Sequence, residues 1–261
     1  MKNIINFKRY KCGNEKFVLS DLYENCKTGV CSLPVNVFRL EHRKFGNILF
    51  NSGCSSLMNK NPVNFAKYKS KHKISFKAED TIISQLSAEG LDPLCIKKVI
   101  LTHCNPECCG SLPLLPKYEL VSSAQVLCSL NFGYLSEGVL KSTVPNSSVP
   151  RRAIVPFEGD TFLKNYFKWV YDVLGDGSVL GFDISGHSKY MMGYFIPEIN
   201  IFIGADSCIT EEAVTKNYTP TKKLLDMQYY PDDYLIVFNK IIKIHSENPE
   251  IKMIFSHSEN I

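Results

Sequence analysis

Apolar positions along the chain fall into short runs separated by turn residues, and most runs are of strand length. Residues 34–41 and 47–51 are apolar and β-branched, with charged residues and Gly46 between them. They predict a strand pair that runs into a turn at Ser52-Gly53. Residues 59–78 carry Lys60, Lys67, Lys69, Lys71, His72, Lys73 and Lys77 with little periodicity. They read as a solvated surface loop, with a lid or an anion-attracting patch as the sharper alternative. Residues 79–89 predict an amphipathic helix: Ile82, Ile83 and Leu86 share a face, acidic residues occupy the first turn, and Gly90 follows as a stop. Residues 97–101 predict a buried strand ending at Thr102-His103, and 118–122 a second one. A helix follows over 123–132, then a loop over 136–153 rich in Ser, Pro and Val. Beyond 154, strand follows strand: 166–174, 179–184, 190–196 and 199–203, broken by Gly175-Asp176-Gly177 and Gly186-His187. An amphipathic helix over 232–247 and a last strand over 251–255 close the chain at Ser256-His257. Strands at both ends with helices between suit an α/β arrangement of two sheets covered by helices, in one domain over 1–261.

Composition narrows the function classes. With 44% of 261 residues hydrophobic, the chain can bury a large core. A net charge of +4 is too small to argue for nucleic acid or a membrane surface. No run approaches the ~18 apolar residues of a spanning helix. The basic start, Met1 to Arg9, has no apolar stretch behind it, so the sequence predicts a cytoplasmic protein whose thiols stay reduced. The ten cysteines then do not form a disulfide framework. Packing is the default for Cys12, Cys26, Cys31, Cys54, Cys95 and Cys128. Cys104, Cys108 and Cys109 are denser, but they lack the two separated pairs of a zinc ribbon.

Candidate chemistry sits at strand ends. The strand 97–101 delivers His103, 179–184 delivers His187, 199–203 delivers Asp206, and 251–255 delivers His257. Ligand-type residues just past buried strands are where α/β folds place their sites. At this point the sequence resembles a known family. The run Ile100-Leu101-Thr102-His103-Cys104-Asn105-Pro106-Glu107-Cys108-Cys109-Gly110-Ser111 is similar to the Thr-His-x-His-x-Asp-His-x-Gly-Gly segment of the metallo-β-lactamase superfamily. Residues 47–53 resemble its strand followed by Asp-Thr-Gly, and 184–188 its Pro-Gly-His-Thr. Residues 201–206 resemble its Gly-Asp, and 255–257 its last Gly-His. Length and the Leu33-Pro34-Val35 start look most like the N-acyl homoserine lactone lactonase branch.

The resemblance implies the αββα four-layer sandwich of that superfamily and a metal site with altered ligands. Carried over residue by residue, one metal position would have His103, Asn105, His187 and Asp206. Asn105 is a poor zinc ligand, because its amide oxygen is neutral and hard. The second position would have Glu107, Cys108, Asp206 and His257, all legitimate zinc donors. The favoured reading is a divergent hydrolase holding one Zn²⁺, with Fe or Mn as alternatives. It would act on an ester, lactone or thioester, with Glu107, His103 and His187 as candidate catalytic groups and a small molecule as its partner. Members of the lactonase branch include dimers, which makes a homodimer one candidate state. The alternative is a metal-free pseudo-enzyme or binding protein of the same fold, because Asn51-Ser52-Gly53 replaces Asp-Thr-Gly and Ser207 follows Asp206 where lactonases carry a substrate-holding Tyr. A third reading makes Cys108 or Cys104 a nucleophile beside His103 or His257.

Overall fold

The computed structural model describes residues 2–26 and 29–259. The chain forms two compact units: the residues up to Lys16 with Leu33–Ala153, and Phe17–Ser32 with the segment from Ile154 onward.

The first unit is built on a seven-stranded mixed sheet. Its strand order is Ile74–Ser75, Ile4–Val18, Val30–His42, Gly46–Phe50, Ile96–Ile100, Glu119–Ser122 and Arg151–Ala153. Val30–His42 and Gly46–Phe50 form the expected antiparallel pair, with Leu40 opposite Ile48. From Gly46–Phe50 to the far edge the strands run parallel. Their C-terminal ends therefore lie along one side of the sheet, and Asn51, Leu101 and Ser123 leave from there. Leu40, Ile48, Leu49, Val99, Ile100, Leu120 and Val121 are fully buried and hold these strand ends rigidly.

Arg151–Ala153 is a strand within the stretch read as a loop, 166–174 is strand only over Val170–Asp172, and two larger elements also differ from the sequence expectation. The strand Ile4–Val18 has no counterpart in it: Tyr10 and Cys12 point inward, the alternation slips at Gly13 (φ 124°), and Glu15 and Phe17 continue it. Outward Lys8, Lys11 and Lys16 and the inward carboxylate disguise the period. The lysine-rich stretch is a helix, Pro62–Lys71, rather than a loop. Asn61 caps it by accepting from the Asn64 N–H, Pro62 opens it, and Phe65 and Tyr68, three residues apart, form its buried face.

The second unit carries a six-stranded sheet in the order Lys252–Ile254, Ile201–Ile203, Met192–Ile196, Leu180–Asp183, Val170–Asp172 and Val155–Pro156. Phe182 stacks on Phe167 and Phe202, with centroids 4.3 and 4.9 Å apart. The helix Pro231–Glu247 is amphipathic, as expected, and buries Tyr234, Val237, Phe238, Ile241 and Ile244 along one face. Ile201–Ile203 and Lys252–Ile254 run parallel as neighbours, so the residues following them emerge side by side.

Gly53 has φ 73°, and a Cβ there would stand 2.3 Å from Cys12 Cβ. Gly90 has the same φ but nothing within 4 Å. Gly90→Ala is expected to cost about 1–2 kcal/mol for the left-handed backbone alone. Gly53→Ala should add about 1–3 kcal/mol of overpacking. Urea unfolding of both variants checks the difference, and equal losses would mean that the Cys12 contact is soft.

Candidate functional site

In the first unit the site is built on the turn after Gly46–Phe50. Asn51 is left-handed (φ 62°), and its N–H donates to Ile100 O at 2.9 Å. Its Oδ1 accepts from the Thr102 N–H (3.0 Å) and from Thr102 Oγ1 (3.1 Å). Thr102 Oγ1 also lies 2.9 Å from His103 Nδ1. The next residue, Ser52, donates to Cys108 O from its N–H (2.7 Å) and its hydroxyl (3.0 Å). The turn thus fixes His103 through Thr102, and it fixes the one-turn helix Pro106–Cys109 through Cys108. His103 is fully buried and Cys108 nearly so. Cys108 Sγ lies 3.8 Å from both ring nitrogens of His103, which puts the sulfur beside the face of the imidazole.

The other two positions of this segment are engaged elsewhere. Asn105 Oδ1 fills the place a Cβ would take on Gly138, 2.2 Å from that point, and Gly138 is left-handed. Glu107 is buried, and both carboxylate oxygens accept from the Tyr68 hydroxyl, at 2.9 and 2.8 Å. Tyr68 stacks on His72 at 4.3 Å, and His72 Nδ1 lies 3.2 Å from Glu15 Oε1. Burial, reinforced by the Glu107 and Glu15 carboxylates, pushes the Tyr68 phenol well above its usual range, so it stays a donor. The sequence reading missed Tyr68; its place three residues after Phe65 was the available signal.

In the second unit, Asp206 and His257 come together at the ends of their parallel strands. Ala205 turns left-handed (φ 47°) ahead of Asp206, and Ser256 N donates back to Ala205 O at 3.0 Å. Asp206 Oδ2 accepts from Ser256 Oγ (3.0 Å), and Oδ1 lies 3.4 Å from His257 Nε2. The Phe17 ring packs edge-on to His257. His187 stands on another loop, half-buried, with Nδ1 3.0 Å from Gln228 Oε1. Gln228 belongs to no motif and is invisible in the sequence.

All ten cysteines are free thiols. Burial pushes Cys104 up to about 12, and its Sγ donates to Val126 O. Cys12, Cys54 and Cys109 are raised by burial as well. The sequence expectation of packing thus holds for Cys12 and Cys54, while Cys128 is exposed.

Tyr68→Phe should cost about 1–3 kcal/mol in denaturant unfolding, because it removes a hydroxyl donor from the buried Glu107. An unchanged midpoint would mean that this bond is dispensable. The buried phenols of Tyr23, Tyr68 and Tyr234 are all raised in the fold. The unfolded chain then releases these protons first, so stability is full below about pH 10 and falls above it. Unfolding midpoints from pH 8 to 11 check the sign. A thiol reagent at about pH 8 should modify Cys128 in the folded protein, and Cys12 and Cys54 only on unfolding.

No family model matches the chain, and no curated protein matches it in sequence. Solved structures do match it, over nearly its whole length. An N-acyl homoserine lactone hydrolase, solved with its product at the catalytic metal centre, is 17% identical with a TM-score of 0.71, covering 99% of this chain and 95% of its own. A probable metal-dependent hydrolase from Staphylococcus aureus is 12% identical with a TM-score of 0.70, covering 100% and 92%. A hydrolase of the β-lactamase superfamily is 14% identical with a TM-score of 0.60, covering 98% and 91%. Among the described residues no helix is long and apolar enough to cross a membrane. With its mixed sheets flanked by helices, the chain has the αββα fold of the metallo-β-lactamases.

Proposed function

We propose that the protein is a divergent cytoplasmic hydrolase of this fold, with one metal held by His103, Cys108 and Asp206, and that it acts on a small ester, lactone or thioester. The observation that carries this reading is the donor set. An imidazole, a thiol and a carboxylate, all buried, stand at strand ends of a fold whose solved members include metal-dependent hydrolases. Nitrogen, sulfur and oxygen donors fit zinc, and three protein ligands leave a fourth position open, the pattern of a catalytic rather than a structural site. A bound zinc would supply an acidified water and a polarised substrate carbonyl.

The chain's own residues do the rest. His103 is oriented by Thr102, and Cys108 by Ser52 through its carbonyl. Asp206 is oriented by Ser256. His257, beside Asp206, supports that carboxylate and is a further candidate ligand. His187 is the candidate general base. Glu107, held by the Tyr68 hydroxyl, is a proton-handling candidate and a further candidate ligand.

A metal-free relative of the same fold is the second reading. It is favoured by Asn105 and Glu107, which stand at positions that the family motif gives to metal ligands and are occupied with Gly138 and Tyr68.

The protein purified from zinc-supplemented cells should carry about one equivalent of metal by elemental analysis. Fewer than about 0.2 equivalents would overturn the hydrolase reading in favour of the metal-free one. Cys108→Ala and Asp206→Asn should each strip the metal, while Cys95→Ala should not. Equal content in all three variants would mean that the ligand assignment is wrong.

A further inference from the structure

Two side-chain amides dictate where protons sit on two imidazoles. Gln228 Nε2 donates to Leu224 O at 2.6 Å. A carbonyl can only accept, so this bond fixes which end of the amide is nitrogen, and it is Oε1 that faces His187 Nδ1 at 3.0 Å. An amide oxygen carries no proton; the proton between the two atoms belongs to Nδ1. The same logic holds at His103. Asn51 Oδ1 is identified by the Thr102 backbone N–H, which donates to it at 3.0 Å. Thr102 Oγ1 gives its single proton to that oxygen at 3.1 Å. Toward His103 Nδ1, 2.9 Å away, the hydroxyl can then only accept.

We propose that His103 and His187 are both held as the Nδ1–H tautomer, by Gln228 directly and by Asn51 through Thr102, so that each neutral ring keeps its lone pair on Nε2. Free histidine favours the opposite tautomer, so the state is imposed by the fold. The backbone braces it at His187. Tyr229 N donates to His187 O (3.2 Å), and Tyr230 N to Gly186 O (2.9 Å). Gly186 lies so close to Tyr234 that a Cβ on it would be 2.6 Å from that backbone. Gln228, Thr102 and Asn51 are positioning residues: Gln228 and Thr102 touch the rings, Asn51 sets Thr102, and together they aim Nε2, the atom that ligates a metal or takes a proton. Only that consequence rests on the hydrolase reading; the tautomers need no metal.

The test is nitrogen NMR of metal-free protein carrying ¹⁵N-histidine, at about pH 8, above the ordinary histidine range. Nε2 couples to both ring carbon-bound protons and Nδ1 strongly to one, so the spectrum tells the two nitrogens apart. His103→Gln and His187→Gln assign the signals. Both rings should show a pyrrole-like Nδ1 and a pyridine-like Nε2. A pyridine-like Nδ1 in either ring overturns the proposal, as does a ring with no pyridine-like nitrogen. Gln228→Leu should shift the His187 signals to the Nε2–H form, and Gln228→Glu, which keeps an acceptor, should retain Nδ1–H. Thr102→Val should release His103 in the same way. An unchanged His187 pattern in Gln228→Leu removes Gln228 from its role. Should that variant fail to fold, the wild-type and Gln228→Glu spectra still decide. The metal content measured separately tests the hydrolase reading, so the two can fail independently.

Discussion

The side-chain oxygen of Asn51 is the point from which one half of the candidate site is hung. It accepts two protons from Thr102, one from the backbone and one from the hydroxyl, while its own N–H closes onto Ile100 O. The chain can turn there because asparagine tolerates the left-handed conformation it adopts. One residue later Ser52 clamps the carbonyl of Cys108. Asn51 and Ser52 therefore position a histidine and a cysteine that lie 51 and more residues further along the chain. Ile48, Leu49, Val99 and Ile100 in the strands behind them are fully buried, so the turn sits on a rigid base.

Two buried carboxylates take hydrogen bonds from hydroxyl groups. Glu107 is served by a phenol. Asp206 is served by a serine hydroxyl and stands beside an imidazole. A buried carboxylate is costly unless hydrogen-bonded, and these hydroxyls meet part of that cost.

How much of this was legible in the sequence follows from how local each feature is. The strand Ile96–Ile100 with His103 after it, the Ser123-capped helix Ala124–Phe132 and the amphipathic Pro231–Glu247 all announce themselves within a few residues. The strand Ile4–Val18 does not, because a slip at Gly13 and an inward Glu15 break its alternation. The helix Pro62–Lys71 was hidden by lysines, since two buried aromatic residues are its whole apolar face. For the candidate site, motif order nominated His103, Glu107, Cys108, His187, Asp206 and His257. The residues that orient them, Tyr68 and Gln228, lie 39 and 41 positions away from their partners and fall in no motif. Such contacts belong to the tertiary fold: the spacing of Phe65 and Tyr68 hints that Tyr68 is buried, and nothing local says that it meets Glu107.

The long helix and the His187 loop share their hydrogen bonds, and this has a consequence for motion. The amides of Tyr229 and Tyr230 are spent on the carbonyls of His187 and Gly186, at the very entrance to Pro231–Glu247. Neither segment can open without releasing the other, so they form one cooperative unit of local unfolding. The backbone that carries His187 then opens only together with the first turn of a helix 17 residues long, and solvent exchange at those two amides times that opening.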